Sequence, residues 1–329
     1  MSTYKNSIPS ILGLALFALA QIAAAQTFPQ PGKHIRVIVP FPAGGANDLS
    51  MRAIQQPLSK ILGAPIVVEN IAGASTKIAT EQLIKADPDG HTLMYAGHLA
   101  LMGYFYSGAT EEKYWHKMAI LGETGSFPWG MLEAKADAPF KSWQELVEHA
   151  KKNPGKFSVG GPAPGGMMNM IVLETAKAAG INVTYVPYKG GGPSGLALLG
   201  GQVDYRVAQP SEVYPNVKAG KTRALAVAGP QRMDEMPDVP TLRELGIAFD
   251  VPPFGFDFWG PANMPPALAQ RITSAIEQAV KDPAFVEASK VLVYKPVFTG
   301  PDKLQESIRN FESNLGPKML EMFPPEPKK

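Results

Sequence analysis

Cysteine is missing from all 329 residues. Its absence excludes disulfides, thiol nucleophiles and cysteine-ligated zinc or iron–sulfur centres. It also leaves no stray thiol to oxidise in a compartment such as the periplasm. Histidine is scarce. The five residues show no His-x-x-x-His or His-Glu-x-x-His spacing, so a histidine-based metal site has no support and no cofactor is expected. Charge of either sign fails to accumulate: 31 Lys and Arg nearly cancel 29 Asp and Glu, and no basic block occurs, which argues against a nucleic-acid partner. The first glycine turn carries neither Gly-x-Gly-x-x-Gly nor a Lys-Ser/Thr ending, which removes the dinucleotide and P-loop readings. No Gly-x-Ser-x-Gly elbow is present, since Gly192-Pro193-Ser194-Gly195 has the wrong spacing. A set drawn from Ser194, His98 and Asp204 keeps a secreted α/β hydrolase as the alternative to a non-enzymatic binding protein.

Long apolar runs are absent after the first residues. There, Lys5 supplies a positive start, Ile11 to Ala20 is apolar, and Ala23-Ala24-Ala25 offers a small-x-small cleavage site. This pattern predicts a Sec signal peptide over residues 1–25, with Gln26 first in the exported protein. The apolar run is shorter than the roughly 20 residues that cross a bilayer. The remaining length is enough for two domains of about 150 residues each.

What is abundant is glycine and proline, 32 of each, set between apolar segments. Ile35 to Val39 is short, apolar and β-branched, and reads as a buried strand. Pro40 to Gly45 stops it. From Asp48 to Leu62, residues Leu49, Ala53, Leu58, Ile61 and Leu62 can share one helical face, with Pro57 a potential kink. Strand, glycine turn and helix together aim the free N–H groups of a helix N-terminus into the turn, where a carboxylate is the natural occupant. A merely structural turn is the alternative, because short glycine turns are ordinary in α/β units. Ile66–Asn70 and Thr92–Ala96 repeat the arrangement, so three β–α units come in succession, each with small or polar residues at the strand's carboxyl end. Open α/β sheets bind ligands there.

The stretch from Leu101 to Trp129 has no clean period, and only Met118 to Gly122 suggests a strand. Ser142 and Glu145 form a capping-box pattern opening a helix to Lys152. A second series follows: strand 157–160, turn 161–166, helix 167–179, strand 183–186, the glycine turn 189–193, a helix to Leu199, and strand 203–208. Thr222 to Ala228 reads as β. A short helix is predicted to end at Gly246, Phe254 to Trp259 is an aromatic run, and Pro266 to Lys281 and Pro301 to Phe323 read as amphipathic helices.

Individual candidates carry two readings each. Asp48 reads a ligand group or caps its helix, and Arg52, one turn on, pairs a ligand carboxylate or Asp48. Ser75 and Thr76 donate hydroxyls to a ligand or cap a helix. His98 donates to an anion or is a solvated loop residue. Tyr188 lines a cleft or belongs to the core, and Lys189 is a charge partner or solvated. Arg206, inside an apolar strand, is buried with Asp204 or a ligand anion, or it marks a sheet edge.

Eight motifs now stand in register: Val39-Pro40-Phe41-Pro42-Ala43-Gly44-Gly45 with Asp48 and Arg52; Val68-Glu69-Asn70 with Ala72-Gly73-Ala74; Pro88-Asp89-Gly90-His91-Thr92-Leu93; Asn153-Pro154-Gly155-Lys156; Val186-Pro187-Tyr188-Lys189-Gly190; Gly200-Gly201-Gln202-Val203-Asp204; Arg223-Ala224-Leu225-Ala226-Val227; and Pro237-Asp238-Val239-Pro240-Thr241. In this order they resemble the Bug-family solute-binding proteins of tripartite tricarboxylate transporters. The resemblance implies an α/β type II periplasmic-binding-protein fold, a ligand cleft between two domains, and a hinge that closes on the ligand. It implies domain 1 over 26–124 plus 227–323, domain 2 over 125–226, and a frayed tail at 324–329. It implies a small carboxylate as ligand, integral membrane transporter subunits as partners, and a monomer. Ligand contacts carried over are Phe41, Ala43, Gly44 and Gly45, which would grip a carboxylate through backbone N–H groups, then Pro162, Ala163, Gly165, Gly166 and Met167, then Tyr188, Lys189 and Gly190. The chain departs from the family pattern at Ser75-Thr76-Lys77, near His98, and at Gly165-Gly166-Met167-Met168-Asn169, where hydroxyl residues and a histidine are usual. The two methionines imply a less polar wall, suited to an aromatic acid or a long dicarboxylate.

Overall fold

The computed structural model of the protein describes residues 28–128, 130–162, 166–249 and 254–322. The predicted leader 1–25 and tail 324–329 lie outside the described residues, as do Ala163 and Gly165 of the candidate site. The chain runs β1 (Ile35–Val39), α1 (Ala46–Leu62), β2 (Ile66–Asn70), α2 (Lys77–Ile84), β3 (Thr92–Tyr95), α3 (His98–Tyr106) and β4 (Met118–Phe127). It continues through β5 (Gly130–Lys135), α4 (Trp143–Lys152), β6 (Ser158–Gly161), α5 (Met167–Ala179), β7 (Thr184–Pro187), α6 (Gly191–Leu199), β8 (Tyr205–Ala208), α7 (Pro210–Lys218) and β9 (Thr222–Ala228). It ends with β10 (Phe254–Pro261), α8 (Pro266–Val280), α9 (Pro283–Val291), α10 (Pro301–Asn310) and α11 (Gly316–Met322).

These strands make two five-stranded sheets of like design, ordered β2-β1-β3-β10-β4 and β7-β6-β8-β5-β9. In each, three parallel strands are followed by an antiparallel pair. The chain passes between sheets twice, from β4 to β5 and from β9 to β10. The fold is therefore the two-part α/β architecture that the repeated β–α units predict.

Helical periodicity explains the packing. Along α1, Met51, Ile54, Leu58 and Leu62 recur every three or four residues and are buried, which lays one apolar stripe inward. The helix continues through Pro57. It packs against α8, whose buried Ile272, Ile276 and Ala279 form the matching stripe. The buried hydroxyl chain Ser50–Tyr95–Thr124–Tyr294, with links of 2.6 to 2.8 Å, stitches α1 to β3, β4 and the C-terminal segment. Ser142 accepts from the Glu145 N–H at 3.2 Å, as its capping pattern predicts.

Four differences from the sequence reading have physical causes. β4 runs through Phe127 because Gly122 and Gly125, at φ +147° and +151°, let the strand kink without ending. The helix α7 was hidden by Pro210 and Pro215, the first at an N-terminal position that tolerates it. The predicted short helix before Gly246 is a series of turns. The predicted 301–323 helix is divided by a π-helical turn at Phe311–Leu315.

Arg206 is buried and paired with Glu133 of β5, while Asp204 instead accepts from the N–H and hydroxyl of Ser158. The Arg206–Asp204 pairing is thereby replaced by Arg206–Glu133. Removing one partner of a buried pair strands the other charge. Arg206→Met should lower the unfolding free energy by about 3–5 kcal/mol in urea titrations. A loss below about 1 kcal/mol would mean that Glu133 is not held as an ion.

Candidate ligand-binding cleft

The carboxyl ends of β1, β6 and β8 face one another across a cleft. One wall is the Pro40–Gly45 turn and the start of α1. The other is the Gly190–Gly192 turn with the starts of α5 and α7. A cavity lies between them. Its lining is mainly apolar, with Phe41, Ala100, Tyr104, Met167 and Met168, and its polar members are Asn47, Gln209 and Glu212. A second, roomier cavity shares Phe41, Pro42, Tyr104 and Gly190 with the first and adds Ala72 to Thr76, Tyr188 and Lys189. The two lips come close: a Cβ on Gly190 would sit 3.2 Å from the Pro42 ring.

Three donors at the turn before α1 have partners within the chain. Gly44 stands at φ +78°, which glycine alone adopts freely. Its N–H donates to Asp48 Oδ2 at 2.9 Å, and the Gly45 N–H to the Pro42 carbonyl at 3.4 Å. The Ala46 N–H donates to Glu212 Oε1 at 3.0 Å. The family resemblance implies a ligand carboxylate on the backbone N–H groups of Phe41, Ala43, Gly44 and Gly45. In the structure the Gly44, Gly45 and Ala46 N–H groups are engaged within the chain, and one carboxylate at the helix start is that of Glu212 of α7, a residue that no sequence motif marks. Its Oε2 also accepts from the Gln209 N–H at 3.3 Å. A Cβ on Gly191 would lie 2.0 Å from Glu212 Oε2, so this glycine is what admits the carboxylate. Asp48 is committed locally. Burial raises its pKa, but hydrogen bonds from Arg52, Gly44 and Asn70 prevail and hold it below the usual range.

The second cavity has a strained rim. Ala74, Ser75 and Thr76 are consecutive non-glycine residues at φ +46°, +49° and +75°. Side chains disfavour that region, and such strain concentrates at functional surfaces. Thr76 is buried and its carbonyl accepts from the Thr80 hydroxyl at 2.9 Å. Lys189 is exposed at the mouth.

The structure thus brings Phe41, Gly45, Pro162, Gly166, Met167 and Gly190 together around the first cavity, and Phe41, Ser75, Thr76, Tyr188, Lys189 and Gly190 around the second. Ala43 and Gly44 belong to the same turn without lining either. Arg206 and His98 stand outside both. Arg206 Nη1 donates to the Gly191 carbonyl at 2.7 Å and Nη2 to the Glu212 carbonyl at 3.4 Å, so it props the wall from behind. The hydrolase set is not assembled: Ser194 bonds Gly191 and Arg206, Asp204 bonds Ser158, and His98 bonds Asp257 and Ser307.

His98 belongs to a buried network with Glu123 and Asp257, whose donor atoms lie within 4.8 Å of one another. Three such side chains could in principle hold a cation. Here both ring nitrogens are used, Nδ1 with Asp257 Oδ2 at 2.9 Å and Nε2 with the Ser307 hydroxyl at 3.0 Å, and the His98 N–H also donates to Asp257. The network joins the start of α3 to β10 and α10. Burial lowers the His98 pKa, but the Asp257 charge, its hydrogen bond and the Glu123 charge together outweigh it, and the net shift is upward. Burial first, and then the Asp257 charge, push Glu123 up to about 8.

Comparison with known proteins places this geometry among relatives. Residues 50–309 match the family described as "Tripartite tricarboxylate transporter family receptor". A Cupriavidus necator relative, "UPF0065 protein in gbd 5'region", is 32% identical over 87% of this chain and 85% of its own length. The solved structure of the periplasmic binding protein BugD is 27% identical, with a TM-score of 0.79 over 89% of this chain and 97% of that one. MatC from Rhodopseudomonas palustris, solved with bound malate, is 25% identical, with a TM-score of 0.74 over 89% of this chain and 98% of that one.

The buried network predicts a pH dependence. With an ordinary value of 4.5 and a folded value of about 8, Glu123 binds more protons folded than unfolded between those limits. Its stabilising contribution is complete below about pH 4.5 and is lost as the pH rises to about 8. Chemical denaturation across this window should show Glu123→Gln losing less stability with rising pH than the parent chain. Parallel curves would mean that Glu123 ionises normally in the fold.

Proposed function

As the chain belongs to the tripartite tricarboxylate transporter receptor family and is a Bug-type periplasmic receptor, we propose that it captures a small carboxylic acid and hands it to the integral membrane subunits of such a transporter. The acid is a dicarboxylate or an aromatic acid. The exported protein starts at Gln26, works as a monomer in the periplasm, and performs no catalysis. Its two domains are 26–124 with 227–323, and 125–226. The membership of the two sheets supports this division, since the chain changes sheets after Phe127 and again after Ala228.

The observation that carries the reading is the apolar cleft at the carboxyl ends of opposed strands, built from both sheets and reaching Lys189. Apolar walls accept the hydrocarbon body of the acid. Lys189 is the cation among the residues lining the two cavities, so the carboxylate lies at that end, beside Ser75 and Thr76. The malate-bound MatC structure supports an acid as the ligand class.

A ligand that binds the folded state alone raises stability by RT ln(1 + [L]/Kd). A thermal-shift screen of aliphatic and aromatic acids should return saturable stabilisation. In calorimetry, Lys189→Gln should weaken the best acid about tenfold, the effect of losing one charge-assisted hydrogen bond of about 1.5 kcal/mol. An unchanged Kd places the carboxylate away from Lys189.

A further inference from the structure

We infer that Glu212 sets the polarity of the ligand: the end of the cleft at α1 takes a hydrogen-bond donor, an ammonium above all, and excludes a second carboxylate. This rests on the carboxylic-acid reading and, of the acids proposed there, sets the dicarboxylate aside in favour of acids with a donor at the far end.

Three independent features converge on that end of the cavity. The Glu212 carboxylate lies between two helix starts, accepting from Ala46 of α1 at 3.0 Å and from Gln209 at the start of α7 at 3.3 Å. Among the described residues no side-chain cation forms an ion pair with this carboxylate, each oxygen accepts one backbone N–H, and the residue lines the cavity. Asn47 lines the same cavity. It is 7% exposed, and its Oδ1 has no hydrogen-bond partner. A buried acceptor without a partner is costly unless something donates to it. Finally, the space for Glu212 is built in: Gly191 has no Cβ to collide with the carboxylate, and Arg206 holds the Gly191 and Glu212 carbonyls from behind.

The Glu212 carboxylate suits an N–H or O–H group and repels an anion, the Arg206 guanidinium being turned to the Gly191 and Glu212 backbone carbonyls and to Glu133. The apolar span from Glu212 past Phe41 and Tyr104 to Lys189 then fits an acid whose carboxylate and donor lie at opposite ends. One donor of that helix start, the Ala46 N–H, is served by the protein's own carboxylate.

Calorimetry with matched pairs tests this: succinate against γ-aminobutyrate, and adipate against ε-aminocaproate. The parent chain should bind the amino acid of at least one pair about tenfold or more tightly than its diacid, a gap worth about 1.4 kcal/mol. Glu212→Gln should erase that preference by weakening the amino acid and strengthening the diacid. Gly191→Ala, which pushes the carboxylate aside while leaving it in the chain, should reduce the same preference, so the test survives misfolding of either variant. A parent chain that prefers the diacid in both pairs, or a preference unchanged in the folded variants, overturns the inference while the carboxylic-acid reading stands. No saturable binding of any of the four ligands, with no acid found by thermal shift, contradicts that reading, and the inference falls with it.

Discussion

A helix start needs acceptors for its exposed N–H groups, and the cleft is arranged around who supplies one to α1. The β1 strand, the glycine turn and α1 deliver the Ala46 N–H to the point where the two sheets meet. Glu212 answers from the opposite sheet at 3.0 Å. That contact ties the walls of the cleft together and makes the local field one of acceptors rather than donors. Gly191 must lack a side chain beside this carboxylate, and Arg206, buried with Glu133, holds the Gly191 and Glu212 carbonyls behind it.

Burying Arg206 and Glu133 is a stiff requirement, because neither charge is tolerable alone. The pair nonetheless lets β5 and β8 carry a rigid platform from which α6 and α7 present their first turns. The network of His98, Glu123 and Asp257 does comparable work in the other sheet, anchoring α3 and α10 to β10. Asp257 lies in the centre of a β-strand yet accepts from the start of a helix, which explains why a charged residue is fully buried there.

Much of this was legible in the sequence, and the limits were physical. Ile35–Val39 and Ile66–Asn70 were readable to the residue because β-branched runs bounded by proline or glycine leave little choice. The helix 167–179 was equally plain, closing on Gly180 at φ +63°. By contrast, β5 and β10 pair with partners distant in the chain, so no local pattern marks them, and α7 carries two prolines that read as breaks. Missing α7 meant missing Glu212, since its significance lies in a contact spanning 166 residues. Arg206 was recognisable as anomalous in an apolar strand, but its partner Glu133 sits in a strand that local pattern did not reveal. Ser75 and Thr76 were candidate hydroxyl donors. Their left-handed backbone, which shapes the second cavity's rim, left no mark in residue type.

In the proposed capture a small acid is held between the two sheets, with residues from both around it. Domain closure on ligand compacts the particle. Small-angle X-ray scattering, recorded for the free protein and then at saturation with the tightest acid from the thermal screen, tests this directly. The account predicts a smaller radius of gyration and a shortened maximum dimension in the bound state. Superimposable curves at proven saturation would contradict capture by closure of the two sheets.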